Sequence, residues 1–294
     1  MYPEPIEQYF QPTTLAAALQ LVAIHGTAAH ILAGGQSLVP ALKARAVAAR
    51  ALIDINRVTE LSTLTTDAEG LYLGALLRLS AVAHDPLIGR TASALAEAAA
   101  ALGDRQVRNR ATLVGSIVWA MHWGDIAPAA AALGASLRLA GPTGRRDVGV
   151  ESFVLGPRHT ALGAQEMVLA LRLPTPPPHT GSCYLKHGRV VQDRATLGVA
   201  VCLTRGPDGR CAEVRIALGG LAQHPICRAT QIEERVRGQS LNAALLEDLK
   251  HWAATTITTH TDELASAAYR RQLIGVYVPR ALALAWQRSA ESGI

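Results

Sequence analysis

The run Pro174-Thr-Pro-Pro-Pro178 constrains the fold more than any other feature of the chain. Proline has no amide hydrogen to donate and its φ is fixed, so four prolines in five residues can neither continue a helix nor lie in a central strand. We therefore place a domain boundary there and expect a separate C-terminal unit over 179–294. The part before the prolines changes pattern again after residue 57, which gives expected units over 1–57 and 58–174.

The first unit reads as a small βαβ-like element. Leu15, Leu19 and Val22 recur at helical spacing within Thr14 to Ile24, and Ala51-Leu-Ile-Asp-Ile55 reads as a short buried strand. Between them the apolar run His30-Ile-Leu-Ala33 meets Gly34-Gly35-Gln36-Ser37 and then Leu38 to Lys43, a strand, a tight turn and a helix start. The second unit has a strand at Leu71-Tyr-Leu-Gly-Ala75, alanine-rich helical stretches near 94–101 and 127–135, and a glycine-bearing stretch at Ala111 to Ser116. In the third, Leu197 to Leu203 and Ala212 to Leu218 flank the turn-rich Arg205-Gly-Pro-Asp-Gly-Arg210 as a hairpin. Two helices follow, with Leu245, Leu246, Leu249 and Trp252 on one face of the first and Tyr269, Leu273, Val276 and Tyr277 on one face of the second.

With 294 residues, 49% of them hydrophobic, the chain can bury a sizeable core, and aromatics at 4% mean that small side chains fill it. The net charge of +5 is scattered and lacks the aromatic platforms that stack bases, so nucleic acid is not an expected partner. Met1-Tyr-Pro-Glu-Pro-Ile-Glu7 has neither the basic nor the apolar region of an export signal, and no run of 18 apolar residues occurs, so no membrane span and a cytoplasmic location are expected. Cys183, Cys202, Cys211 and Cys227 stand singly, which indicates neither a disulfide framework nor a metal site. His122, between Trp119 and Trp123, has no nucleophile beside it and reads as loop packing.

Gly34-Gly35 after a strand lets bare backbone amides approach an anion where no Cβ stands in the way, and Ser37 adds a hydroxyl. Taken alone, such a pair is better explained by an ordinary tight turn. A second element makes the same offer: Thr112-Leu-Val-Gly-Ser116 follows the basic Gln106-Val-Arg-Asn-Arg110, whose Arg108 and Arg110 either meet phosphates or face solvent. Asp125, nine residues after Ser116, is a loop or cap carboxylate that can also accept from a ribose or ribityl hydroxyl.

Ala33-Gly-Gly-Gln-Ser-Leu38 resembles the first flavin motif, A-G-G-x-[ST]-[LD], of the FAD-binding medium subunits of molybdenum hydroxylases, the xanthine dehydrogenase and carbon monoxide dehydrogenase group. Gln106-Val-Arg-Asn-Arg-Ala-Thr112 with Gly115-Ser116 resembles the second motif, and Asp125 stands at the acidic position that follows it. Glu166 to Pro174, Lys186 with Arg189 and Asp193-Arg-Ala195, and Tyr269 to Val276 extend the resemblance over essentially the whole chain. Val114 departs from the pattern, standing where the second motif has its first glycine, and Arg194 stands where an aromatic or aliphatic residue is common. If the backbone at 114 needs a positive φ close to a phosphate, a β-branched residue there weakens binding; in a β-region conformation little is lost.

The resemblance implies an α+β / α/β fold, with a two-part FAD-binding domain of the PCMH (vanillyl-alcohol oxidase-like) type followed by a C-terminal α+β domain of antiparallel sheet and helices. It implies that Leu32, Ala33, Gly34, Gly35, Gln36, Ser37 and Leu38, with Thr112, Val114, Gly115 and Ser116, hold the FAD phosphates and ribityl chain. Asp125 would bind a flavin hydroxyl, and Leu102, Val168 and Lys186 would lie around the ring. No residue of this chain is expected to act as a catalytic or metal-binding group. The implied function is that of an oxidoreductase subunit. It would take electrons from the 2Fe-2S clusters of an iron-sulfur small subunit, itself fed by a molybdopterin large subunit, in a dimer of heterotrimers, and pass them to an external acceptor. Two alternatives stand beside it: a flavin-free paralogue acting as an assembly or interaction subunit, and a stand-alone oxidase, which would need a catalytic base that the C-terminal part does not offer.

Overall fold

The computed structural model describes residues 5–291, so Met1–Glu4, part of the stretch read as lacking an export signal, lies outside the described residues. Residues 8–54 form a parallel sheet of strands β1 (Gln8–Phe10), β2 (Ala29–Leu32) and β3 (Ala51–Asp54), in the order β1-β3-β2. The helix Leu15–His25 crosses from β1 to β2, and Thr14 starts it by accepting from the Ala17 amide at 3.2 Å. The helix Leu38–Lys43 leads from β2 toward β3 and has the bounds that the sequence pattern gives it. β1 has no counterpart in that pattern, because a three-residue strand with no buried side chain carries no periodic signal.

The second sheet is antiparallel, built from β4 (Leu64–Asp67), β5 (Gly70–Gly74), β6 (Ser136–Gly141), β7 (Gly144–Gly149) and, after the small hairpin of β8 (Val154–Gly156) and β9 (His159–Thr160), β10 (Met167–Pro174). Its order is β4-β5-β10-β6-β7, which puts the last strand at the centre. The long excursion from β5 to β6 carries the helices Ser93–Ala101, Arg105–Arg110, Leu113–Val118 and Ile126–Ala132 among others. Pro174 is the last residue of β10, opposite Gly70, and the next strand begins at Thr180.

The C-terminal sheet is an antiparallel meander of β11 (Thr180–His187), β12 (Leu197–Arg205), β13 (Cys211–Gly219) and β14 (Cys227–Arg228). Its side chains alternate between two cores, as the period of a strand requires. Cys183, Val199, Val201 and Ile216 face a core closed by the helices Thr230–Val236 and Ala267–Glu291, with Ala243–Thr256 packed on the latter, whereas Tyr184, Ala200 and Ala217 face the alanine-rich helices Ser93–Ala101 and Ile126–Ala132. Alanine on both sides of this second interface lets helix and sheet approach closely, which accounts for the composition of those helices. Among the described residues no helix is long and apolar enough to cross a membrane.

One expectation fails in the last helix. Tyr269 and Val276 are exposed, and the buried face runs through Arg270, Leu273, Ile274, Val278, Ala281, Leu282 and Ala285. Arg270, at 0% exposure, holds a core position because each of its three guanidinium nitrogens has an acceptor. It donates to the carbonyls of Thr196, His260 and Ala265 and to Asp262 Oδ1. A pattern that counts arginine as a surface residue shifts the apolar stripe by one position.

Candidate functional site

The two glycine-bearing turns come from different sheets and meet. Gly34 follows β2 and lies so close to the second turn that a Cβ on it would overlap the Arg110 carbonyl oxygen and stand 2.9 Å from Ala111 Cα. Gly35 has φ +74°, a conformation that a glycine takes without strain. The second turn is anchored to the β5 side: Leu113 N donates to Leu77 O at 2.9 Å and Leu79 N to Ala111 O at 3.0 Å, with an isolated bridge between Arg78 and Thr112. Gly115 is needed there, since a Cβ would come 2.5 Å from Thr112 Oγ1.

Both turns open helices whose first-turn amides lack acceptors within the helix, and of these Val39 N and Leu113 N are taken by Gly35 O and Leu77 O. Ser37 and Thr112 stand at the N-cap positions with hydroxyls able to cap them, yet neither does so. Thr112 Oγ1 is buried without any hydrogen-bond partner. The two turns line one cavity of about 540 Å³ with β2, Arg158, Thr160 and the segment from Leu162 to Val168. Unfilled donors, bare backbone and a buried orphan hydroxyl on a single cavity fit the diphosphate of a dinucleotide cofactor.

Of the residues expected from sequence, Ala33, Gly34, Gly35, Gln36, Ser37, Leu38, Thr112, Val114, Gly115, Ser116 and Val168 line this cavity. Leu32 lies behind it at the end of β2. Leu102, Asp125 and Lys186 gather elsewhere, where the alanine-rich helices meet the C-terminal sheet. Lys186 Nζ donates to Ala101 O at 2.9 Å and to Asp125 Oδ2 at 3.1 Å, and Tyr184 Oη donates to Asp125 Oδ1 at 2.6 Å. Burial pushes the Asp125 carboxyl up, against the pull of Lys186 and Tyr184.

Val114 is a residue of the helix Leu113–Val118, with right-handed backbone, and its side chain belongs to the main hydrophobic core. Its conformation is thus neither of the two weighed from sequence, and the missing glycine brings no backbone strain. Arg194 stacks over Trp123, 4.3 Å from the ring centroid. Arg108 turns away from the cavity to donate to Leu102 O and Gly103 O, and the Arg110 side chain is exposed outside the cavity lining.

Two charged residues at the cavity were not among those expected from sequence to hold the cofactor. Arg158 brings a guanidinium to the cavity wall, 5.0 Å from the Trp119 ring centroid. Glu166 also lines the cavity, accepting from Arg146 at 2.7 and 2.6 Å and from the Gly163 amide at 2.7 Å. A second cavity of about 560 Å³ opens beside the proline run and is lined by none of the expected residues. His122 Nε2 lies 3.5 Å from Asp262 Oδ2, and burial lowers its pKa. Burial also pushes Cys183 up to about 12 and Cys202 and Cys211 to about 11, so none of these offers a thiolate at neutral pH.

Comparison with known proteins gives two family matches that together span the chain. Residues 4–176 match the FAD binding domain in molybdopterin dehydrogenase, and residues 182–285 match the CO dehydrogenase flavoprotein C-terminal domain. The chain is 32% identical to the carbon monoxide dehydrogenase medium chain of Hydrogenophaga pseudoflava, covering 97% of this chain and 99% of that one. It is 30% identical to the glyceraldehyde dehydrogenase medium chain of Sulfolobus acidocaldarius, over 96% and 98% of the two chains. A solved structure of the Hydrogenophaga pseudoflava carbon monoxide dehydrogenase superimposes with a TM-score of 0.91 at 33% identity, covering 98% of this chain and 99% of that one.

Proposed function

The chain belongs to the FAD-binding medium-subunit family of molybdenum hydroxylases, and from that premise we propose that it is the electron-exit subunit of a heterotrimeric dehydrogenase. It is an oxidoreductase subunit with FAD as its cofactor. The observation that carries the proposal is the meeting of Gly34–Leu38 and Thr112–Ser116 on one cavity, with the buried Oγ1 of the lining residue Thr112 left unpartnered.

In this reading the amides of the two turns and the hydroxyls of Ser37 and Thr112 hold the diphosphate, and Val168 packs beside it. Asp125, Lys186 and Leu102 take the flavin end, where the lysine ammonium and the carboxylate form a fixed pair at the contact of two units. Bound FAD accepts electrons singly and releases them singly or in pairs, which suits a carrier between iron-sulfur clusters and an external acceptor. The chain's own residues orient the cofactor and shield it, and none breaks a bond of the organic substrate. Substrate oxidation belongs to a molybdopterin large subunit, and a 2Fe-2S small subunit relays the electrons. The complex works in the cytoplasm as a dimer of heterotrimers.

The test is a visible spectrum of the purified chain, alone and with its partner subunits, with and without added FAD, before and after dithionite. Bands near ~450 nm that bleach on reduction, at about one flavin per chain, are the expected result. A preparation that takes up no FAD in the assembled complex overturns the proposal in favour of a flavin-free assembly subunit.

A further inference from the structure

We propose that Asn56 and Arg78 form a clasp that fixes the separation of the two phosphate loops, making them positioning residues for the FAD diphosphate; this rests on the flavin reading above. The clasp is continuous in hydrogen bonds. Asn56 Nδ2 donates to Ala33 O at 2.8 Å, beside the first loop. Arg78 donates through one terminal nitrogen to Asn56 Oδ1 at 2.6 Å and through the other to Arg110 O at 2.5 Å, beside the second. That Arg110 carbonyl is the one against which Gly34 packs.

The need for such a device follows from the fold. The first loop leaves the parallel sheet at β2, and the second is tied to the antiparallel sheet through Leu77 and Leu79. Among the described residues no strand ladder joins these two sheets, and the clasp adds a hydrogen-bonded tie to the packing of Gly34 on Arg110. A diphosphate bound from both sides needs the distance from Gly34 to Thr112 fixed in advance, since ordering the loops on binding would cost affinity.

The orientation of Asn56 is itself fixed. Its Nδ2 also meets Asp54 Oδ1 at 2.5 Å, and its backbone amide donates to the same oxygen at 3.0 Å. Asp54 Oδ2 is taken by Tyr9 Oη at 2.5 Å and Gln11 Nε2 at 3.1 Å. With a carboxylate and a carbonyl on one side and a guanidinium on the other, the asparagine amide has one satisfactory orientation. Arginine suits the remaining place because its planar fork serves two acceptors at once, which one lysine ammonium on a flexible stem does not reproduce.

The experiment titrates FAD into the full chain, with its partner subunits present, for the wild type and for Asn56→Ala, Asn56→Asp, Arg78→Ala, Arg78→Lys and the Asn56→Ala/Arg78→Ala pair. The dissociation constant is read with the ³¹P resonances of the bound diphosphate and the urea midpoint of the flavin-free chain. We expect each single change to weaken FAD about tenfold or more, in the range of one charge-assisted hydrogen bond. Arg78→Lys should fall with Arg78→Ala, Asn56→Asp should lose affinity through repulsion from Asp54, and the double variant should be no weaker than the weaker single one. The ³¹P resonances should move toward those of free FAD while the urea midpoint stays near that of the wild type. Retained affinity in Arg78→Lys would mean that Arg78 acts as a charge and would overturn the clasp, as would additive effects, unmoved ³¹P resonances or losses that track the urea midpoint. A wild type that binds no FAD fails earlier and overturns the flavin reading itself.

Discussion

Tyr184 donates its phenolic hydrogen to Asp125 across 2.6 Å at a carboxylate that is 3% exposed, with Lys186 on the other carboxylate oxygen. The three residues weld the C-terminal sheet to the helix Ile126–Ala132. Tyr184→Phe leaves one buried oxygen of Asp125 without a donor and should cost about 1–3 kcal/mol. Lys186→Met removes the compensating charge and should cost more, about 3–5 kcal/mol at neutral pH. Urea unfolding of both variants checks the order. If Lys186→Met were no worse than Tyr184→Phe, Asp125 would be neutral in the folded protein and the pair would not be ionic.

The close approach of the two loops makes Gly34→Ala severe. The atoms nearest its Cβ would be backbone atoms of Arg110 and Ala111, which cannot swing aside as a side chain end can. The variant should lose both stability and bound flavin. Gly89→Ala provides the contrast: the glycine lies within the helix Pro86–Thr91, with nothing within 4 Å of an added Cβ. That change should stabilise by about 0.5–1 kcal/mol. Melting curves together with flavin content of both proteins decide the matter, and equal behaviour would remove the steric argument.

The glycine turns were legible because their chemistry is local: a strand, Gly-Gly and a helix start are adjacent in sequence. Strands β12 and β13 were legible for the same reason, as two β-rich runs flanking the turn-rich Arg205 to Arg210. The clasp was not, because Asn56 and Arg78 are 22 residues apart and look like ordinary polar loop residues until two sheets bring them together. Tyr184 was missed since a tyrosine in a strand reads first as packing. The burial of Arg270 was not legible because it depends on carbonyls from two separate stretches of chain, at Thr196 and in the 260–265 loop. Local sequence signals thus mark the two turns, whereas the contacts between them depend on the fold.

The wall formed by Arg146 and Glu166 should loosen in acid. The Arg146 guanidinium hydrogen bond, reinforced by the Gly163 amide, holds the Glu166 carboxyl below its ordinary value. A lowered folded-state pKa adds stability above the unfolded-state value of about 4.3, and this is lost as pH falls through the folded-state pKa. Glu166→Gln should therefore flatten the acid side of the stability curve relative to the wild type. Urea midpoints measured between about pH 3 and 7 test this, and parallel curves for the two proteins would show that Glu166 contributes nothing to the slope.

Restoring the motif glycine should harm the protein. Val114 is 4% exposed, in a helix with right-handed backbone, and packs into the core shared by the antiparallel sheet and the alanine-rich helices. Val114→Gly would empty that space and place the residue of greatest conformational freedom in the helix, at a cost of about 2–4 kcal/mol. The gain at the cofactor should be small, because the amide at 114 already lies in the first helical turn, where it has no acceptor within the helix. FAD affinity and unfolding midpoint measured on the same variant separate the two effects. A glycine variant that bound FAD more than about tenfold tighter would show that the valine side chain obstructs the diphosphate, and the helical backbone alone would then not account for the site.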